Sequence, residues 1–282
     1  MGFFDFIFGR RAVPKRPRDV ADLVAPLAVP AVHLVAASTA DLSSSYLGGN
    51  PVAEASFDWP RRSDGRPLSF LGRLNLGELG DNTPDWLPRG GWLLFFYDIE
   101  KQPWGFDPKD ADGWRVILTP GAATMTEVAP PADLAAEFQL HRVPVQSRPI
   151  GSLPSWERRP VEELALTDAE HETLTDLSEQ VFGGRPHHQV GGFPMPVQGD
   201  SMELECQLAS NGIYIGTPDA FRSPAAEAIK RGAEDWRLLL QVDSDDDLGA
   251  MWGDVGTLYF WIREADARAG NFDRVWLVLE CC

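Results

Sequence analysis

LLLQVDSDDDLGAMWGDVGTLYFWI, residues 238–262, is the stretch whose reading decides the fold. An apolar run of Leu238, Leu239, Leu240 and Val242 halts at Asp243, and a second run, Leu258, Tyr259, Phe260, Trp261 and Ile262, resumes after Gly256. Both read as strands, joined by an acidic loop that ends in the turn Trp252-Gly253-Asp254.

The same order of parts stands earlier in the chain. FLGRLNL (70–76) leads through a polar, proline-containing segment to GWLLFFY (91–97), and GWRVIL (113–118) follows; in the later copy residues 273–279 take that third place. A Gly-Gly-x-Pro element precedes each copy, at 48–51 and at 191–194. We read this as an internal duplication. Two copies are too few for a solenoid and their internal spacing differs. The expectation is therefore an α+β, mainly β protein: two related sheet-containing halves packed together, with a few peripheral helices.

The runs FLGRLNL, GWLLFFY, LLLQVDSDDDLGAMWGDVGTLYFWI and FDRVWLVLE are similar to those of the YwqG-like family, a bacterial domain of unknown function built as a β-rich internal duplication. The likeness covers residues 46–280 and is strongest in the second copy. It implies a fold and not a reaction, and it brings no catalytic residues onto these positions. The chain then divides into an N-terminal extension of tail, short helix and strand (1–45), a first YwqG-like half with its connector (46–160) and a second half (161–282).

Composition supports a large core. Of 282 residues 44% are hydrophobic, with ten Trp and fifteen Phe, so the chain folds without staples. The three cysteines form neither a disulfide framework nor a metal spacing, since Cys281 and Cys282 are adjacent and Cys206 stands alone; a reduced, cytoplasmic setting follows. The net charge of −17, from 42 acidic against 25 basic residues, repels phosphate backbones and argues against nucleic acid; it fits a basic protein partner or a cation. At the N-terminus a short apolar run containing Phe3, Phe4, Phe6 and Phe8 precedes Arg10-Arg11, the reverse of a signal peptide, and Phe6 stands where myristoylation wants Ser or Thr. It reads as a tail or extra strand, and no run is long enough for a transmembrane segment.

Local signals place the remaining elements. Val20, Leu23, Val24 and Leu27 share one helical face, residues 31–36 read as a strand, and residues 92–99 are apolar enough for a strand buried on both faces. Thr167 and Glu170 form a capping box for a helix that carries Leu174, Leu177 and Val181 inward and stops at Gly183. Ser223-Pro224 opens another short helix, whereas residues 202–208 suit either a strand or a helix.

For chemistry, Asp243, Asp245 and Asp247 alternate and Asp254 is twelfth from Asp243, a spacing that mimics a calcium loop. The fit is partial: Leu248 holds the place of the turn glycine, Asp254 that of the bidentate Glu, and strands flank the loop. The competing reading gives Asp243 and Asp254 to backbone amides that fix the turn. Trp104 and Trp252, both beside glycine in turns, are candidates for an aromatic recognition surface, with Trp59 and Trp236 as further members. His187-His188 is the dense histidine site; neighbours in an extended chain point to opposite sides, and His188 joins the ligand or partner-binding candidates, with Asp200 or Glu203 as partners for general-base work. Ser201 lacks an elbow motif, Cys206 a protease context, and neither glycine pair is followed by Lys-Ser/Thr. The expected function is a non-enzymatic binding protein that engages a protein partner through its acidic surface, an immunity-like role being one form of it. The alternative is a metal-dependent enzyme or small-ligand sensor centred on residues 243–254, with calcium or magnesium as the cofactor.

Overall fold

The computed structural model describes residues 18–38, 44–54, 56–121 and 125–282; the apolar tail at 1–17 lies outside them. In chain order the strands are β1 (Val29–Ala36), β2 (Tyr46–Leu47), β3 (Val52–Ala53), β4 (Ser69–Asn75), β5 (Trp92–Tyr97), β6 (Trp114–Thr119), β7 (Thr126–Glu127), β8 (Val143–Ser152), β9 (Gln189–Val190), β10 (Trp236–Asp243), β11 (Thr257–Arg263) and β12 (Trp276–Glu280). The helices are α1 (Val20–Val24), α2 (Arg159–Glu162), α3 (Asp168–Phe182), α4 (Met202–Ala209), α5 (Pro224–Ile229) and α6 (Glu264–Ala269). Among the described residues ten strands form one sheet in the order β12-β11-β10-β9-β1-β8-β2-β4-β5-β6, and β3 pairs with β7 alone. The protein is mainly β, as its sequence implies.

The sheet reads the same from either edge. β12, β11, β10 and β9 answer β6, β5, β4 and β2, with β1 and β8 between them. Register agrees as well as order. Asn75 pairs with Trp92 and Leu74 with Leu93, and the ladder slips at Phe70/Gly72; Asp243 pairs with Thr257 and Val242 with Leu258, and that ladder slips at Leu238/Leu240. Each slip is a bulge at the same place in its hairpin, which sharpens the local twist. The Gly-Gly turns match too: Gly48, Gly49, Gly191 and Gly192 all have φ between 62° and 75°, where a Cβ is disfavoured.

The centre of the sheet is interlaced. β1 and β8 pair antiparallel from Val29↔Ser152 to Ala36↔Val145. β1 then meets β9 and β8 meets β2, so the N-terminal strand β1 leans on the later block of strands and β8, from the connector, on the earlier one. The strand that the sequence placed in an N-terminal extension is thus in the middle of the molecule.

Alternation explains why β5 is apolar throughout. Leu93, Phe95 and Tyr97 enter the main core, while Leu94 and Phe96 enter a second cluster with Trp59, Leu68 and Phe70 on the other face. Across the main core the rings of Phe95 and Phe260 meet edge to face at 5.3 Å. The sheet curls until its edges nearly close: Trp114 and Trp276 lie 5.0 Å apart, and Trp114 Nε1 donates to the Val275 carbonyl at 3.0 Å. The open edge of β12 is covered by the β5–β6 connection, where the Trp104 carbonyl accepts from Leu279 N at 3.2 Å. Gly105 permits that approach, since a Cβ there would lie 1.8 Å from the Leu277 carbonyl oxygen.

The capping box of α3 is present, and the helix ends on Gly183 in the left-handed region. Residues 202–209, ambiguous in sequence, are helical because Met202, Cys206 and Ala209 fall on one buried stripe against β10 and β12. Among the described residues no helix is long and apolar enough to cross a membrane.

Candidate functional site

The acidic loop between β10 and β11 is held by its own protein groups. Asp243, 1% exposed, accepts from the His187 amide through Oδ2 and from Thr257 Oγ1 through Oδ1, both at 2.8 Å. The Asp243 amide donates to His188 Nδ1 at 3.1 Å, and because a backbone N–H can only donate, Nδ1 carries no proton. The proton sits on Nε2, 3.2 Å from Asp245 Oδ2. That hydrogen bond is the largest cause holding the Asp245 carboxyl below its usual range, and Asp245 also accepts from the Asp247 amide at 2.9 Å. Both nitrogens of His188 are therefore occupied, which leaves it neither lone pair nor proton for an incoming ligand.

Asp247 and Asp254 are exposed. Leu248, at the sixth place of the calcium-like spacing, is fully buried, and its carbonyl accepts from His141 N at 2.9 Å, so the loop is plugged into the opposite half of the sheet. Among the described residues no group of three or more His, Cys, Asp or Glu is placed to hold a metal ion. The four aspartates thus point to different tasks: Asp243 and Asp245 inward, Asp247 and Asp254 to water.

Trp252 is fully buried and meets the Tyr97 ring edge-on at 5.9 Å, so it joins the two halves of the core and offers no surface to a partner. Trp104 is 36% exposed, packs on Phe106 at 5.8 Å and covers the edge of β12.

A cleft of about 570 Å³ lies elsewhere, over the outer face of β10 and β11. Its floor is Trp236, Leu238 and Trp261; the β4–β5 connection, with Trp86 and Arg89, forms one wall, and Phe193 with Arg158 and Glu203 the other. Arg158 is fixed by four contacts: Nε donates to Asp200 Oδ2 at 2.6 Å, Nη2 to Asp200 Oδ1 and to Glu203 Oε1, the latter at 2.8 Å, and the guanidinium lies 4.9 Å from the Phe193 ring. Burial raises the Glu203 carboxyl, against the pull of Arg158. Trp236 Nε1 donates to Gln207 Oε1 at 3.0 Å, whereas Trp261, 1% exposed, has an indole N–H with no acceptor among the described residues. Thr83 supplies a hydroxyl to the wall and spends it on the Gly80 carbonyl at 2.6 Å. Arg89, exposed at the rim, has no ion-pair partner among the described residues. On a chain of net charge −17 this cleft is locally balanced, with Arg89, Arg158 and Arg237 facing Asp81, Asp85 and Glu203.

The matching place in the other half is filled. Phe96 and Phe70 stand there as Trp261 and Leu238 do in the cleft, paired across the same bulge. Trp59 lies edge-on to Phe96 at 5.6 Å and donates Nε1 to the Leu68 carbonyl at 2.8 Å, and Phe57 stacks on Phe96 at 6.0 Å. A crevice of about 80 Å³ lies beside Ser69.

A model of a domain of unknown function, DUF1963, matches residues 45–281. The chain belongs to that family. The YwqG-like resemblance read from the sequence is consistent with it, and the family's description assigns no reaction. No curated protein matched.

Of the site residues, Trp236 was legible as an aromatic candidate, and Phe193 lies in the Gly-Gly-x-Pro element. Glu203 was named as a partner for the histidine pair and is bonded to Arg158 instead; Arg89, Arg158 and Trp261 carry no local signal, since the connections that bring them together are distant in sequence.

Proposed function

We propose that this protein is a non-enzymatic binding protein whose recognition site is the cleft over β10 and β11, and that its partner is a protein segment presenting an aromatic side chain. The observation that carries this reading is the filled counterpart. The first half fills its outer face with Phe57 and Trp59, and the second leaves a cleft over an aromatic floor whose buried Trp261 indole N–H has no acceptor among the described residues. Buried aromatic anchors dominate recognition energetics, and Arg89 at the rim adds a free cation for a carboxylate or carbonyl next to the anchor. The net charge of −17 supports basic flanks on that partner, which would speed encounter. The lining pairs no nucleophile with a base, which favours binding over turnover. The cation-centred reading of residues 243–254 is less favoured, because Asp243 and Asp245 already have donors.

A selection from displayed random peptides tests this. Recovered peptides are expected to share an aromatic residue and to lose at least tenfold in affinity on Phe193→Ala and on Arg89→Glu. A selection without binders, or with binders indifferent to both substitutions, overturns the reading.

A further inference from the structure

On the opposite side of α4 from the cleft lies a second cavity, of about 330 Å³, that shares Phe106, Ile215 and Phe221 with an apolar groove of about 480 Å³. Glu203 faces the cleft and Glu205 the cavity, as two residues apart on a helix must, being about 200° apart around its axis. Two carboxyl groups line the cavity. Glu280, the last residue of β12, is 3% exposed, and its Oε2 accepts from the amides of Val197 at 2.8 Å and Gln198 at 3.1 Å. Glu205 accepts from Ser201 Oγ at 2.7 Å through Oε1, and its Oε2 is buried with no hydrogen-bond donor.

A buried carboxylate oxygen without a donor is costly, and among the described residues no basic side chain lines this cavity. Burial is the largest cause raising the Glu280 carboxyl to about 7, with the Glu205 charge adding to it. The strand itself demands no acid here. Glu280 pairs with Thr257 as Thr119 pairs with Trp92 in the matching hairpin, so the sheet closes equally well on a neutral residue. The carboxyl pair is therefore a property of the cavity and not of the fold.

We propose that this cavity is a binding site for a primary alkylammonium ion, whose NH₃⁺ sits between Glu205 and Glu280 and whose aliphatic chain lies along Phe106, Ile215 and Phe221. Three N–H donors on a compact cation suit an orphan carboxylate oxygen and its neighbour, and an alkyl stem suits the apolar groove. The lysine side chain of a partner and a free alkylamine share this chemistry. Arg222, on the far wall of the groove, keeps the cation at the acidic end.

Calorimetry on the full chain at pH 8 and moderate salt separates the sources and the alternatives. Nα-acetyl-lysine N-methylamide and n-pentylamine are the cationic probes, and Nα-acetyl-norleucine N-methylamide is the uncharged one. Saturable binding of either cation, at least tenfold tighter than the norleucine derivative, is expected. Glu280→Gln and Glu205→Gln should each weaken it at least tenfold without lowering the melting temperature by more than a few degrees. Binding of both cations assigns the site to lysine side chains; binding of pentylamine alone assigns it to free amines. Equal binding of the norleucine derivative, no binding of either cation, or undiminished binding in both variants overturns the proposal. Should either variant fail to fold, the contrast between lysine and norleucine on the parent chain still decides. Phe193→Ala, which lies on the cleft, should leave ammonium binding unchanged, so failure here is distinct from failure of the peptide site.

Discussion

The two outer faces of this sheet share strand order, register and bulge, yet one is closed and the other open. The difference lies in what the connecting segments bring. In the first half Phe57 and Trp59 arrive just before β4 and fill the hollow over Phe70 and Phe96. In the second, the approach to β10 is spent on α4, which packs on β10 and β12, and on α5, which packs on α4, and a cleft stays over Trp236, Leu238 and Trp261. The repeated strand order therefore acts as a common frame, and the loops decide which face is filled and which carries a cleft.

The largest effect that can break this comparison is expected at the plug itself. Trp59→Ala should cost about 3–5 kcal/mol in urea unfolding, because it deletes a buried ring that also caps the Leu68 carbonyl. The variant should also gain affinity for small aromatic compounds as its crevice opens; a loss below about 1 kcal/mol would mean that Trp59 is dispensable and the two faces equivalent.

Next is Asp243, whose counterpart is Asn75 at the matching end of β4. Asp243→Ala leaves the His187 amide and the Thr257 hydroxyl without an acceptor and should destabilise by about 2–4 kcal/mol, whereas Asp243→Asn, which copies the first half, should cost about half as much. Equal losses in differential scanning calorimetry would remove hydrogen bonding as the cause.

Glu280→Gln should act through pH. The folded carboxyl titrates at about 7 and the unfolded one at 4.5, so between those values the folded chain holds a proton that the unfolded chain has released. Stability thus falls as pH rises through that window, and the full penalty stands above pH 7. Removing the charge should leave stability near parental at pH 4.5 and raise it by about 1–3 kcal/mol at pH 8, with denaturant midpoints at the two pH values as the check. A variant equally stable relative to the parent at both values would show that Glu280 keeps an ordinary pKa.

The smallest effect is expected from cations. Calcium or magnesium at millimolar concentration should shift the melting temperature by less than a degree, with Asp245→Asn behaving alike, because Asp245 is already held by His188. A shift of several degrees that the variant abolishes would restore the acidic loop as a metal site.

Much of the fold was readable in advance. The apolar runs, the repeated order of parts, the capping box at Thr167 and the stop at Gly183 are local or periodic signals, and they need no knowledge of distant contacts. The site was less readable. His188, Trp252 and Asp243 look chemical in sequence because polar and aromatic residues recur around one loop, but Asp243 and His188 fix that loop to its own half and Trp252 packs on Tyr97 of the other. Arg158 and Trp261, which line the cleft, sit in unremarkable surroundings.

By itself, then, the sequence determined which segments are strands, that they recur in one order, and that the core is large and aromatic, because side-chain periodicity follows from backbone geometry alone. Tertiary structure decided that β1 sits at the centre, that Trp59 fills one hollow while Trp261 lies beneath an open one, and that Glu205 and Glu280 meet in a cavity. Those outcomes depend on which distant segments arrive over the same patch of sheet, and that is settled by packing across the whole chain and written in no single stretch of it.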